Sequence, residues 1–148
     1  MKKLSMMLFA ILSLTAMSCN SQTKKDEIKM EKEIKSVIET FVKAGEKRDV
    51  AMYNDILHEE FRVIANKYPT PEKISIIPSA GYIALITKEV IGGTKYEVVY
   101  KSIDIAEHSA TVRAELKANK GGQFVTFLLV QNTENKWQII ADMATQKK

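Results

Sequence analysis

Cysteine is almost absent: the 148-residue chain holds one, Cys19, with two histidines, three prolines, six glycines and one tryptophan. A single cysteine excludes an internal disulfide. The two histidines, His58 and His108, fall in different elements, and no HxxxH or cysteine-rich spacing occurs, so no dedicated transition-metal site is expected. The longest apolar run, Leu4 to Met17, is roughly fourteen residues, short of the about twenty that a membrane-spanning helix needs. No GxSxG nucleophile elbow is present. Neither Gly92-Gly93 nor Gly121-Gly122 sits in the strand-to-helix turn of a phosphate-cradling loop, so both read as turns and no cofactor is expected. No dense Lys/Arg cluster is interleaved with aromatics, which argues against a nucleic-acid partner.

What is present begins with an address. Met1-Lys2-Lys3, the apolar run and the small residue Ser18 before Cys19 have the layout of a secretion signal, predicting a signal peptide over 1–18. Ala16-Met17-Ser18-Cys19 also resembles the lipobox of bacterial lipoproteins, although the usual Leu three residues before the Cys is Ala16 here. A diacylglyceryl thioether explains why the one cysteine stands at that place, giving a membrane-anchored protein of the cell envelope. Residues 19–26 are polar and read as a flexible tether. Loss of Lys2 and Lys3 with the signal takes the formal charge from +4 to +2, so the mature chain is nearly neutral.

Residues 27–148 have the size of one domain. Ile34, Val37, Ile38, Phe41 and Val42 recur at helical spacing and predict an amphipathic helix of about twenty residues ending near Gly45 to Arg48. Asp49 is placed to cap a second helix through His58, with Met52, Tyr53, Ile56 and Leu57 on its apolar side. Short strands are predicted at 61–65 and 73–77, separated by a break at Pro69 and Pro71. A third helix starts at Pro78 or Ser79, with Tyr82, Leu85 and Ile86 on one face and Gly92-Gly93 closing it. Period-two patterning then predicts four long strands, 97–106, 110–118, 123–131 and 137–145, joined by polar turns. The fold class is α+β: an antiparallel meander packed on three N-terminal helices.

This order of elements resembles the nuclear transport factor two-like superfamily. Leu57-His58-Glu59-Glu60-Phe61, Tyr82, Val90-Ile91-Gly92-Gly93 and Asn135-Lys136-Trp137-Gln138-Ile139-Ile140 are similar to the branch labelled putative lumazine-binding. Two places depart from it: Thr126-Phe127 stands where that branch often has Asp-Tyr, and Asp142-Met143 where a Lys is common. The resemblance implies a curved, cone-shaped sheet wrapped on a long helix. It also implies a pocket into which a carboxylate or His can project, and pairing of two subunits through the sheet.

Candidate pocket residues are Tyr53, His58, Tyr82 and Tyr100, with Tyr82 preferred because the third helix forms a wall of the cone. His58 is the one candidate proton carrier, against a plainer role in meeting the last carbonyls of the second helix. Arg113 is expected on a solvated face, and His108 in an exposed turn. Asp142 alternates away from Trp137, Ile139, Ala141 and Met143, so if the Trp side faces the helices the carboxylate points away from the pocket. In 123–131, Val125, Phe127 and Leu129 form one apolar row and Phe124, Leu128 and Val130 another. Both want burial, which predicts a homodimer through the outer sheet. The leading function is a binding module for a small, partly apolar ligand. The alternatives are a pocket enzyme of the isomerase or dehydratase kind working through His58, and an envelope protein-interaction module.

Overall fold

The computed structural model describes residues 16–67 and 72–146. Most of the expected signal segment, and the break at Pro69 and Pro71, lie outside the described residues. The first helix, α1 (Ala16–Lys47), buries Ile34, Ile38, Phe41 and Val42 as their spacing requires. It also runs through residues 19–26, where composition predicts a flexible tether. Gln22 with Asp26 (3.1 Å), Lys29 with Glu33 (3.8 Å) and Glu31 with Lys35 are one turn apart along it. Such pairs contribute a few tenths of a kcal/mol each.

Arg48 ends α1 in the left-handed region (φ 54°). Asp49 then caps as expected, its carboxylate accepting the Ala51 N–H at 3.1 Å, but the helix it starts is only a 3-10 turn, Val50–Tyr53. The segment expected to continue as helix through His58 instead enters strand β1 (Leu57–Asn66). Tertiary pairing overrides the helical pattern here: the Ile139 N–H donates to the Ile56 carbonyl at 2.8 Å, and Leu57 pairs with Ile139. After β2 (Ile74–Pro78) comes α2 (Ser79–Thr87), which starts where predicted. It ends before Gly92-Gly93, with Glu89 in the left-handed region (φ 56°). Strands β3 (Glu97–Ala106), β4 (Ser109–Lys117), β5 (Gly122–Gln131) and β6 (Trp137–Gln146) follow the period-two reading closely.

The six strands form one sheet in the order β2-β1-β6-β5-β4-β3. β1 runs parallel to β6 and every other neighbour is antiparallel, so the sheet is mixed rather than wholly antiparallel. Two helices and a 3-10 turn stand where three helices were expected. On the inner face Val112, Phe127, Asp142 and Val63 lie side by side across β4, β5, β6 and β1. The next row is Ala114, Val125, Ala144 and Ala65. Against these pack Ile34, Ile38 and Phe41 of α1 and Ile86 of α2.

The position of Asp142 corrects the alternation argument. The β5–β6 register shifts between Leu128 and Leu129: Leu129 faces Ile139 and Leu128 faces Ala141, leaving Ile140 as an extra residue. A bulge of this kind reverses which side chains point inward beyond it. Trp137 and Ile139 point to the core before the bulge, Asp142 and Ala144 after it, and Met143 is exposed.

The faces of β5 are resolved too. Val125, Phe127 and Leu129 are buried, whereas Phe124 and Leu128 are each 43% exposed. Phe127→Asp removes a buried ring, worth about 3–5 kcal/mol in large-to-small substitutions, and adds a buried charge. That approaches the whole stability of a typical domain, so this variant should be unfolded by circular dichroism. Phe124→Asp should keep the wild-type spectrum and a melting temperature within a few degrees; the reverse pattern would mean that the faces are exchanged.

Candidate functional site

The alanine row opens the site. Where Ala65 and Ala144 lie side by side on β1 and β6, short side chains leave space beneath α1 and α2 that larger residues occupy elsewhere in the core. The result is a cavity of about 490 Å³. Its walls come from the end of α1 (Phe41, Val42, Glu46), from α2 with the loop after it, and from the inner faces of β1, β2, β5 and β6. The lining is mainly apolar, with few polar groups, as in cavities that take small molecules.

The outstanding polar group is Asp142. It is 6% exposed, it lines the cavity, and its Oδ1 is buried with no hydrogen-bond partner among the described residues. Phe127 and Val63 flank it on the neighbouring strands. Burial among such neighbours penalises the charged form and pushes the carboxyl up to about 7. At neutral pH it is therefore balanced between donating and accepting a proton.

An aromatic cluster frames this carboxyl. Phe41 stacks on Tyr82 (centroids 5.9 Å, interplanar angle 11°) and meets Tyr53, Phe61 and Phe127 edge-on at 5.5, 6.0 and 5.6 Å. The Tyr53 and Tyr82 hydroxyls share a hydrogen bond of 3.2 Å. Burial raises both phenols above their ordinary value, so both stay neutral.

The loop after α2 forms one edge of the site and is tied to the end of α1. Arg48 Nε donates to the Ile91 carbonyl and Nη2 to the Gly92 carbonyl, each at 3.2 Å, while the Gly93 N–H donates to the Gly45 carbonyl at 2.9 Å. This explains the Gly92-Gly93 pair, which does not close α2. Gly92 has φ 83°, and a Cβ there would lie 2.6 Å from the Gly45 oxygen. Only glycine lets the loop approach the helix this closely.

Of the four pocket residues read from the sequence, Tyr82 lines the cavity and Tyr53 stands behind it, bonded to its hydroxyl. His58 does not reach the cavity. It lies at the start of β1, not at a helix end, and its Nδ1 accepts the Glu60 N–H at 3.1 Å. Tyr100 is also outside: its hydroxyl donates to the Lys35 carbonyl at 3.2 Å and tethers β3 to α1, and burial followed by the nearby Glu39 raises its pKa. Arg113 is exposed on the outer face as expected. Glu115, two residues on along the same strand, is 4% exposed, its carboxylate 2.9 Å from Lys101 Nζ. His108 lies in an exposed turn, its Nδ1 2.8 Å from Gln131 Oε1. Glu46, Tyr96 and Gln123 also line the cavity, unforeseen. Glu46 was within reach of sequence reasoning, since it stands one helical turn after the apolar Val42.

A long helix on a mixed sheet, enclosing an apolar cavity with one buried acid, defines a nuclear transport factor two-like domain. The chain belongs to the family described as "Putative lumazine-binding", which it matches over residues 29–143. Solved structures agree on the fold. An NTF2-like protein of unknown function from Shewanella baltica OS155 is 16% identical with a TM-score of 0.68, covering 82% of this chain and 96% of its own. Another from Silicibacter pomeroyi DSS-3 is 12% identical with a TM-score of 0.70, covering 82% and 98%. A protein from Shewanella frigidimarina NCIMB 400 described as a putative ketosteroid isomerase is 13% identical with a TM-score of 0.55, covering 74% and 92%. Among curated proteins none matches.

Asp142 links the site to stability. Its folded pKa lies above the ordinary 3.8, so the folded state holds the proton more tightly than the unfolded chain does. Stability should therefore fall as pH rises from about 4 to about 7 and level off above, by about 4 kcal/mol in total. Denaturant titrations of wild type and Asp142→Asn should show the slope only in wild type, with the variant the more stable of the two at about pH 8. A slope that persists unchanged in the variant excludes Asp142 as its source.

Proposed function

We propose that this domain is an exported binding module for a small, largely apolar molecule, held in the cavity between α1, α2 and the sheet with Asp142 as its polar anchor. The observation that carries this reading is the buried, unpaired Asp142 Oδ1 on the wall of an otherwise mainly apolar space. Leaving such a group unmatched costs free energy, and a ligand polar atom is a partner that offsets it. A second reading, acid–base chemistry on the bound molecule, rests on Asp142 and not on His58. A carboxyl with a pKa near 7 can both take and return a proton, and it faces the cavity where His58 does not. The neighbour described as a putative ketosteroid isomerase keeps this reading in view.

Filling the cavity separates ligand binding from folding. Ala144→Phe places a ring in the space from the sheet side. In a thermal-shift screen of small apolar molecules, wild type should gain several degrees from its best ligands and the folded Ala144→Phe chain should gain none. Equal gains in both would put the ligands elsewhere. Turnover of a bound molecule that disappears in Asp142→Asn would select the enzyme reading.

Two further parts of the proposal concern placement and assembly. Ala16-Met17-Ser18-Cys19 supports a lipid anchor in a bacterial cell envelope, so Cys19→Ser should move the protein from the membrane fraction to the soluble one. A wild type without lipid by mass spectrometry contradicts this. The exposed outer residues Phe124, Leu128 and Met143 support a two-fold homodimer through that face. By light scattering the wild type should then be a dimer and Phe124→Asp a monomer, whereas a wild type monomeric at high concentration rules the dimer out.

A further inference from the structure

The ionisable groups around the cavity have one sign. Asp142 and Glu46 line it, and no described lysine, arginine or histidine does. Arg48, on the loop side, is engaged elsewhere: its guanidinium donates to the carbonyls of Ile91 and Gly92, and Nη1 lies 3.6 Å from the Glu89 carboxylate. The other titratable groups near Asp142 are phenols, namely Tyr53 behind the cavity, Tyr82 on α2 and Tyr96 at the end of the loop. An anionic ligand would meet two carboxylates and no cation. A neutral one would leave Asp142, when ionised, uncompensated. The rings of Phe41, Tyr82 and Tyr96 line the same space, and aromatic faces attract cations.

Building on the binding reading above, we infer that the cavity is selective for ligands with an apolar body and a protonated amine, the ammonium group pairing with Asp142 and entering past Glu46. The apolar body lies along the Ala65–Ala144 wall beneath Phe41 and Tyr82. Pairing an ammonium with a desolvated carboxylate gives charge-assisted hydrogen bonds, roughly twice as strong as neutral ones, and satisfies the orphaned Oδ1. Anionic ligands such as carboxylic acids are disfavoured by the same charges.

Three probes of nearly equal size test this on the full-length chain: naphthylmethylamine, naphthylmethanol and naphthoic acid, titrated by calorimetry. At about pH 8 the amine should bind at least about tenfold more tightly than the alcohol, a difference of about 1.4 kcal/mol, and the acid most weakly. The preference should shrink as pH falls below about 7, by up to about tenfold per pH unit, because Asp142 must then lose a proton before it can pair. Asp142→Asn should abolish the preference while the alcohol still binds, and Glu46→Gln should weaken the amine alone. If the alcohol or the acid binds as tightly as the amine, the charge inference is overturned and the pocket stands. If none of the three binds the folded wild type at millimolar concentration, the pocket reading fails and takes this inference with it. The probe series is read on wild type, so a variant that fails to fold does not decide the outcome.

Discussion

The Phe41 ring is the constraint on which the rest of the structure depends. From α1 it meets a ring on the 3-10 turn (Tyr53), one on β1 (Phe61), one on α2 (Tyr82) and one on β5 (Phe127), all with centroids within 6.0 Å. Four other elements are held to one side chain. The distance between helix and sheet is thereby set, and with it the height of the cavity. Tyr82 closes the arrangement by stacking on Phe41 while meeting Tyr53 and Phe61 edge-on at 5.6 and 5.5 Å. Edge and offset contacts of this kind contribute beyond the area they bury.

Given that fixed height, the composition of the inner face decides where space remains. Large residues such as Phe127, Leu129 and Ile139 fill one region of the sheet, and Ala65 and Ala144 leave another unfilled. A void with apolar walls alone is a simple packing cost. One with a buried, unmatched carboxyl is different, because it carries an unmet demand for a specific partner as well as for bulk. The same geometry explains why the Gly92-Gly93 loop is held so closely to α1. Arg48 and the Gly45 carbonyl hold the loop at the cavity edge.

Much of the fold was legible in the sequence because its signals are local. The spacing of Ile34, Ile38, Phe41 and Val42 demands a helix with that face inward, and Pro78 marks the start of α2. The turns at Glu107, Gly121 and Asn135 stand in the left-handed region that separates the long strands. The segment 54–60 was not legible in this way. Ile56 and Leu57 have a spacing that suits a helix, and only the distant Ile139, whose N–H reaches the Ile56 carbonyl, brings Leu57 into a strand. His58 changes role with that exchange, passing from the end of a helix to the half-buried start of a strand.

By itself, the sequence determined the α+β class, the long amphipathic helix and the period-two strands. The tertiary structure decided that β1 joins β6 in parallel and that β5 turns Phe127 inward and Phe124 outward. Above all it decided the side on which Asp142 stands. Strict alternation puts that carboxyl opposite Ile139, and one extra residue at Ile140 brings it to the same side. A bulge arises from the register between two strands and not from the residues of one, so no reading of Trp137 to Met143 alone shows it.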